Sequence, residues 1–68
     1  MAEPIFVVQT SWANIRVALF LRDDGLFQFF EQAMRNGVYE STEHSELYDR
    51  EEAAHKDMLA YAEECEKS

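Results

Sequence analysis

The chain has 68 residues, with six Lys and Arg against fourteen Asp and Glu, a formal net charge of −8, and 47% hydrophobic residues. That length allows one domain with one modest core, worth about 3–5 kcal/mol, and the hydrophobic content is too high for a disordered chain. The charge argues against nucleic-acid phosphates and membrane headgroups as direct partners and in favour of basic protein surfaces. No apolar run approaches the ~18 residues of a membrane span.

The elements follow in order. Pro4 limits the start, and Ile5-Phe6-Val7-Val8-Gln9 is a β-branched and aromatic run that reads as a strand. Thr10 to Asn14 reads as a turn with Trp12 inside it. Residues 15–21 alternate: Ile15, Val17, Leu19 and Leu21 share one face, while Arg16, Ala18, Phe20 and Arg22 share the other, which predicts a second strand. Asp23-Asp24-Gly25 then gives a hairpin signal, suited to a three-residue loop with Gly25 in the left-handed region. Such a loop sets Leu21 opposite Phe27 and Leu19 opposite Phe29.

Residues 26–36 support two readings. As a strand they turn Phe27 and Phe29 inward, with Leu26, Gln28 and Phe30 outward. As a helix they gather Leu26, Phe27, Phe29, Phe30, Ala33 and Met34 within an arc of roughly 160°. Asp24 would cap that helix and Gly37 would end it. A run that starts as a strand and turns helical near Glu31 is a third form. Turn chemistry and the need of a lone hairpin for a third strand favour the strand. Asn36-Gly37 closes the segment. Residues 38–48 are polar, with Tyr39 and Leu47-Tyr48 as apolar anchors, and read as a loop with at most a short edge strand.

The last element is the clearest. Asp49 and Glu52 fit a capping box, and acids in the first turn suit the helix dipole. Ala54, Met58, Tyr61, Ala62 and Cys65 recur at helical spacing as one apolar stripe, with Glu52–Lys56 and Glu63–Lys67 as i,i+4 pairs. The expected fold is α+β: a small antiparallel sheet of about three strands packed against one C-terminal helix, in a single domain over 1–68. The helix then covers one sheet face, and Phe20, Leu26 and Phe30 emerge on the other. An exposed apolar patch of this kind marks an interface unless the 38–48 loop folds over it.

Charge follows the same division. Residues 1–37 hold four acids and three bases, a net of −1, whereas residues 38–68 hold ten acids and three bases, a net of −7. No catalytic signature accompanies this. Glu52-Ala53-Ala54-His55 has the Glu-x-x-His spacing of carboxylate-bridged metal bundles, but one copy does not make such a site. His44 with Glu43 and Glu46 reads as polar loop, and no Cys or His zinc set exists. Cys65 lies near a helix C-terminus among Glu63, Glu64 and Glu66, where dipole and charge both disfavour a thiolate. Asp23 and Asp24 are turn formers, and Gly25 and Gly37 alone cannot build a phosphate loop. The expectation is therefore a non-enzyme with no cofactor and no metal.

Two resemblances add to this reading. The order of hairpin, short strand and then Leu47-Tyr48-Asp49-Arg50-Glu51-Glu52-Ala53-Ala54 is similar to sheet-plus-helix modules such as integrase arm-binding and AP2-type domains, over about residues 15–62. Those modules read DNA with basic sheets, whereas here Arg16 and Arg22 stand nearly alone. In size and acidity the chain also resembles phage-encoded inhibitors of host machinery, the anti-CRISPR proteins among them. That resemblance implies a carboxylate array set where a nucleic acid would bind: Glu51, Glu52, Asp57, Glu63 and Glu64, extended by Glu40, Glu43 and Glu46. The expected partner is a basic host protein or nucleoprotein complex, with no direct nucleic acid and no membrane. The alternative is an interaction module that homodimerises through Phe20 and Phe30. The start of the chain has Glu3 and no Lys or Arg ahead of its apolar stretch, unlike a secretory signal. With one cysteine and no internal disulfide, this leads to an expected location in the cytoplasm, that of the host cell for a phage protein.

Overall fold

In the computed structural model the elements run β1 (Phe6–Gln9), β2 (Ile15–Leu21), β3 (Phe27–Arg35), β4 (Val38–His44) and α1 (Glu51–Lys67). The structure describes residues 3–12 and 14–67, and the side chains of these up to residue 64. The four strands form one antiparallel sheet in the order β1-β2-β3-β4, with the helix packed across β1, β2 and β3. The α+β class is as expected; the sheet has four strands rather than about three. Among the described residues no helix is long and apolar enough to cross a membrane.

Each strand is joined to the next by a local turn. Between β1 and β2, the Thr10 hydroxyl donates to the Ile15 carbonyl at 2.9 Å and accepts from the Trp12 amide at 3.2 Å. A Thr side chain here takes over bonds that the turning backbone cannot make for itself. Between β2 and β3, the Arg22 amide donates to the Leu26 carbonyl at 2.8 Å, enclosing Asp23-Asp24-Gly25 with Gly25 at φ +84°. This loop sets Leu21 opposite Phe27 and Leu19 opposite Phe29, as the turn chemistry requires.

Residues 27–35 are strand throughout, so the helical alternative and the late switch near Glu31 are both incorrect. Tertiary pairing on both sides decides it: β3 is held by β2 from Phe27 to Ala33 and by β4 from Phe30 to Arg35. The segment 38–48 is corrected as well, because Val38–His44 form a full strand. Asn36 (φ 55°) and Gly37 (φ 80°) both take positive φ, the geometry of a two-residue hairpin turn that Asn-Gly adopts readily. A bulge between Glu31 and Gln32 sets Thr42 into the β4 side. There the Thr42 hydroxyl donates to a Glu31 carboxylate oxygen at 2.8 Å, directly beside the facing Glu31–Glu43 pair. A hydroxyl donor next to two opposed carboxylates eases their repulsion.

After β4 the chain crosses to the helix side. Tyr48 pairs with Phe27 through two backbone bonds of 2.7 and 2.8 Å, and its ring stacks on Phe29. The 38–48 segment therefore does not fold over the outer face. Because Tyr48 is held against the sheet, Asp49 and Arg50 are spent in turning away from it. The first helical bond runs from the Ala54 amide to the Arg50 carbonyl, one residue later than a cap at Asp49 implies. The core is the contact of Val17, Leu19 and Phe29 with Ala54, Met58 and Ala62, ringed by Val8, Phe27, Tyr48 and Tyr61. Three small or flexible helix residues let the helix lie close to the sheet. The side chains of Cys65 and of Lys67, the i,i+4 mate of Glu63, fall outside the described ones.

Candidate interaction surfaces

The helix side carries most of the charge, and the five carboxylates expected to form one array are divided. At about 100° per residue, Glu52 and Glu63 project on one flank of the helix and Asp57 and Glu64 on the other. An exposed strip of Ala53, Lys56 and Ala60 runs between them. Asp57 is already engaged, accepting a 2.8 Å hydrogen bond from the Tyr48 hydroxyl. Glu51 turns back toward the sheet, where it lines a cleft of about 170 Å³ with Ile5, Phe6, Leu19 and His55. Register adds acids to the same side. Glu31, Glu40 and Glu43 are paired so that they share the helix face of β3 and β4, and the Tyr61 hydroxyl reaches from the helix to Glu31 at 2.9 Å.

Tyr48 makes this side sensitive to alkali. Its burial, then the hydrogen bond from its hydroxyl to Asp57 and the charges of Asp57 and Glu46, push its pKa up from 10.0 to about 12. A pKa raised in the folded state means stability that is complete below pH ~10 and is lost as pH rises toward 12. Chemical denaturation at stepped pH is expected to show a decline over that window. Tyr48→Phe should flatten the decline; an unchanged alkaline slope in that variant would disprove the assignment to Tyr48.

The other sheet face is uncovered and different in character. Its strand positions hold Arg16, Ala18 and Phe20 of β2, Gln28, Phe30, Gln32 and Met34 of β3, and Tyr39, Ser41 and His44 of β4, with no carboxylate among them. The long side chains lie flat and cover the sheet themselves. The Arg16 guanidinium sits 3.8 Å above the Tyr39 ring, and its Nε donates to Gln32 Oε1 at 2.8 Å. Gln32 in turn approaches Ser41 Oγ at 3.4 Å. This self-covering explains why Gln28 and Gln32 are buried on a face that no helix protects. The expected exposure of Phe20 and Phe30 is correspondingly reduced. Both are half-buried, their rings meeting edge to face with centroids 5.5 Å apart. Leu26 lies outside the strand, just before β3.

At the hairpin end of this face the two rings form the floor of an open groove of about 560 Å³. Its polar rim is largely committed. Arg22 pairs with Asp24 at 3.1 Å and donates to Gln28 Oε1 at 3.2 Å, and Gln28 Nε2 donates to the Ser45 carbonyl at 2.9 Å. The hydrogen bond from Arg22 holds Asp24 below the usual carboxylate range. Among the described residues the Asp23 carboxylate has no hydrogen-bond or ion-pair partner.

The metal candidates do not assemble. Glu52 projects outward while the His55 ring packs edge-on against Phe6 at 4.2 Å. His44 and Glu43, neighbours in a strand, fall on opposite faces, and His44 lies against the Phe30 ring. Among the described residues no group of three or more His, Cys, Asp or Glu could hold a metal ion. The buried His55 Nε2 has no hydrogen-bond partner among the described atoms. Comparison with protein-family models, with curated proteins and with solved structures returned no match to this chain.

The sequence reading missed the Arg16–Tyr39–Gln32 group and the groove. The alternation of β2 did put Arg16, Phe20 and Arg22 on one face, but Tyr39 and Ser41 join them only once β4 pairs with β3.

Proposed function

We propose that this chain is a non-enzymatic binding protein. In this reading it is a phage- or prophage-encoded inhibitor of the anti-CRISPR kind, which sets its acidic helix side against a basic, nucleic-acid-binding surface of a host protein. One observation carries the reading: the two sides of the sheet differ in charge. Glu52, Asp57, Glu63 and Glu64 on the helix and Glu31, Glu40 and Glu43 on the strands belong to the helix side. The strand positions of the opposite face bear none. Carboxylates gathered on one side of a rigid element complement a basic surface and steer the encounter with it. Glu52, Glu63 and Glu64 are the working residues in this scheme. Asp57 contributes charge while tied to Tyr48.

The test compares the native protein with a variant carrying Glu52→Lys, Glu63→Lys and Glu64→Lys, which moves the net charge from −8 to −2. These three side chains are exposed and lie outside the core, so the variant should fold. Native protein is expected to capture a nucleic-acid-handling partner from bacterial lysate and to compete with nucleic acid for it. Affinity should fall at least about tenfold between 50 and 300 mM salt, as screening predicts for surface charges, and the variant should not compete. Salt-insensitive binding that survives the charge inversion would refute the reading and move the contact to the uncovered sheet face.

A further inference from the structure

We infer that the groove at the hairpin end of the uncovered face is a receptor for a basic side chain of the partner, arginine above all. The inference deepens the reading of a basic partner and rests on it for the partner's chemistry, but the site is a separate one.

The floor of the groove is the edge-to-face pair Phe20–Phe30, ring centroids 5.5 Å apart. Two rings set at 81° make a corner in which a flat cation can lie over one ring while its stem packs on the other. The rim offers one charged group that makes no direct bond. Arg22 is taken up by Asp24 and Gln28, Gln28 also by the Ser45 carbonyl, and Ser41 receives Gln32. Among the described residues the carboxylate of Asp23 makes no hydrogen bond or ion pair, although its charge acts on Arg22, and it lines the same groove, where Asp23 and Asp24 outnumber that one cation. The unanswered charge at the groove is therefore negative, beside aromatic faces that carry negative potential of their own.

The rest of the molecule agrees. A net charge of −8 draws cations toward any surface of the chain and discourages an anionic occupant. The same face already holds one such contact: the Arg16 guanidinium lies 3.8 Å above the Tyr39 ring, with its Nε on the Gln32 amide oxygen. An arginine from outside would repeat that arrangement over Phe20 and Phe30, with Asp23 as its acceptor. A groove of about 560 Å³ has room for a guanidinium and its three-carbon stem.

The test titrates isotope-labelled full-length protein with N-acetyl-arginine amide, using its neutral isostere N-acetyl-citrulline amide and N-acetyl-tyrosine amide as comparisons. The arginine probe should shift the Phe20 and Phe30 ring signals and the Asp23 and Ser41 amides saturably, and the citrulline probe should not. Asp23→Asn, an exposed turn position, should weaken arginine binding about threefold, in line with one exposed ion pair. Phe20→Leu keeps an apolar floor without the ring face and should weaken it by a similar factor. Equal shifts with citrulline, preference for tyrosine, or no saturable shift at the groove would overturn the proposal. Shifts confined to Glu52, Glu63 and Glu64 would also overturn it while leaving the acidic-side reading intact. Conversely, the triple Lys variant should retain the groove shifts even if partner capture fails.

Discussion

Leu19→Ala is expected to leave most of the chain unfolded at 25 °C. Leu19 is 0% exposed and stands where the layers meet, paired with Phe6 on one side and Phe29 on the other, beneath the helix residues Ala54 and Met58. Truncating such a leucine removes its transfer free energy and leaves a void, about 2–5 kcal/mol together. The sheet cannot close that void by moving, because β2 is hydrogen-bonded on both edges. A chain of this size has about 3–5 kcal/mol to lose. Circular dichroism with urea titration checks the result, and a midpoint near that of the native protein would disprove this placing of the core. Leu59→Ala serves as the contrast. Leu59 is 42% exposed on a flank of the helix, and its loss should stay within about 1 kcal/mol.

The second large effect lies on the uncovered face. Arg16→Ala should cost about 2 kcal/mol, although Arg16 is a charged residue on a sheet face with no covering layer. Its guanidinium is both the lid on Tyr39 and the donor to Gln32 Oε1. A hydrogen bond from a charged donor contributes about 1.5–3 kcal/mol and an accessible cation–π contact about 0.5–1. Some of that returns as water reaches the uncovered amide. The diagnostic variant changes both partners. Arg16→Met with Gln32→Leu replaces the polar pair by apolar groups of similar length, and such paired replacement can be nearly neutral where single truncation is not. A double-mutant cycle by chemical denaturation measures the coupling, and a value below about 0.5 kcal/mol would show that the two side chains act independently.

Legibility in the sequence varied with how local the deciding interaction is. Asp23-Asp24-Gly25 set the β2–β3 register correctly, because the geometry of a short loop dictates which residues face each other. The same strand was ambiguous further on because β3 has aromatic residues on both faces. Phe29 enters the core and Phe30 joins the outer face, so neither the strand period nor the helical period stands out. β4 escaped for the opposite reason. It is an edge strand beyond the reach of the helix, so Tyr39 is its one aromatic and no buried face imposes an alternation. The Asn36-Gly37 turn was the available signal. The division of the acidic array was partly readable, since helical spacing alone puts Glu51 on the Ala54 and Met58 side. The capture of Asp57 by Tyr48 was not, because it depends on where the preceding loop docks.

The order β1-β2-β3-β4 also bears on how fast the chain can assemble. Every strand pairs with its sequence neighbour across a short turn, so each ladder closes at the entropic cost of a small loop. The sheet can be laid down as three successive zippers, with no strand waiting for a distant mate. The long closure that remains is the return of the helix to β1, marked by His55 against Phe6. A meander of this kind places most of the ordering in local steps, the topology that correlates with rapid folding. For a small chain that exposes Ile5 and Phe6 at the start of β1 and Trp12 in the turn after it, a short time in the open form limits the chance of edge-to-edge association before the helix is seated.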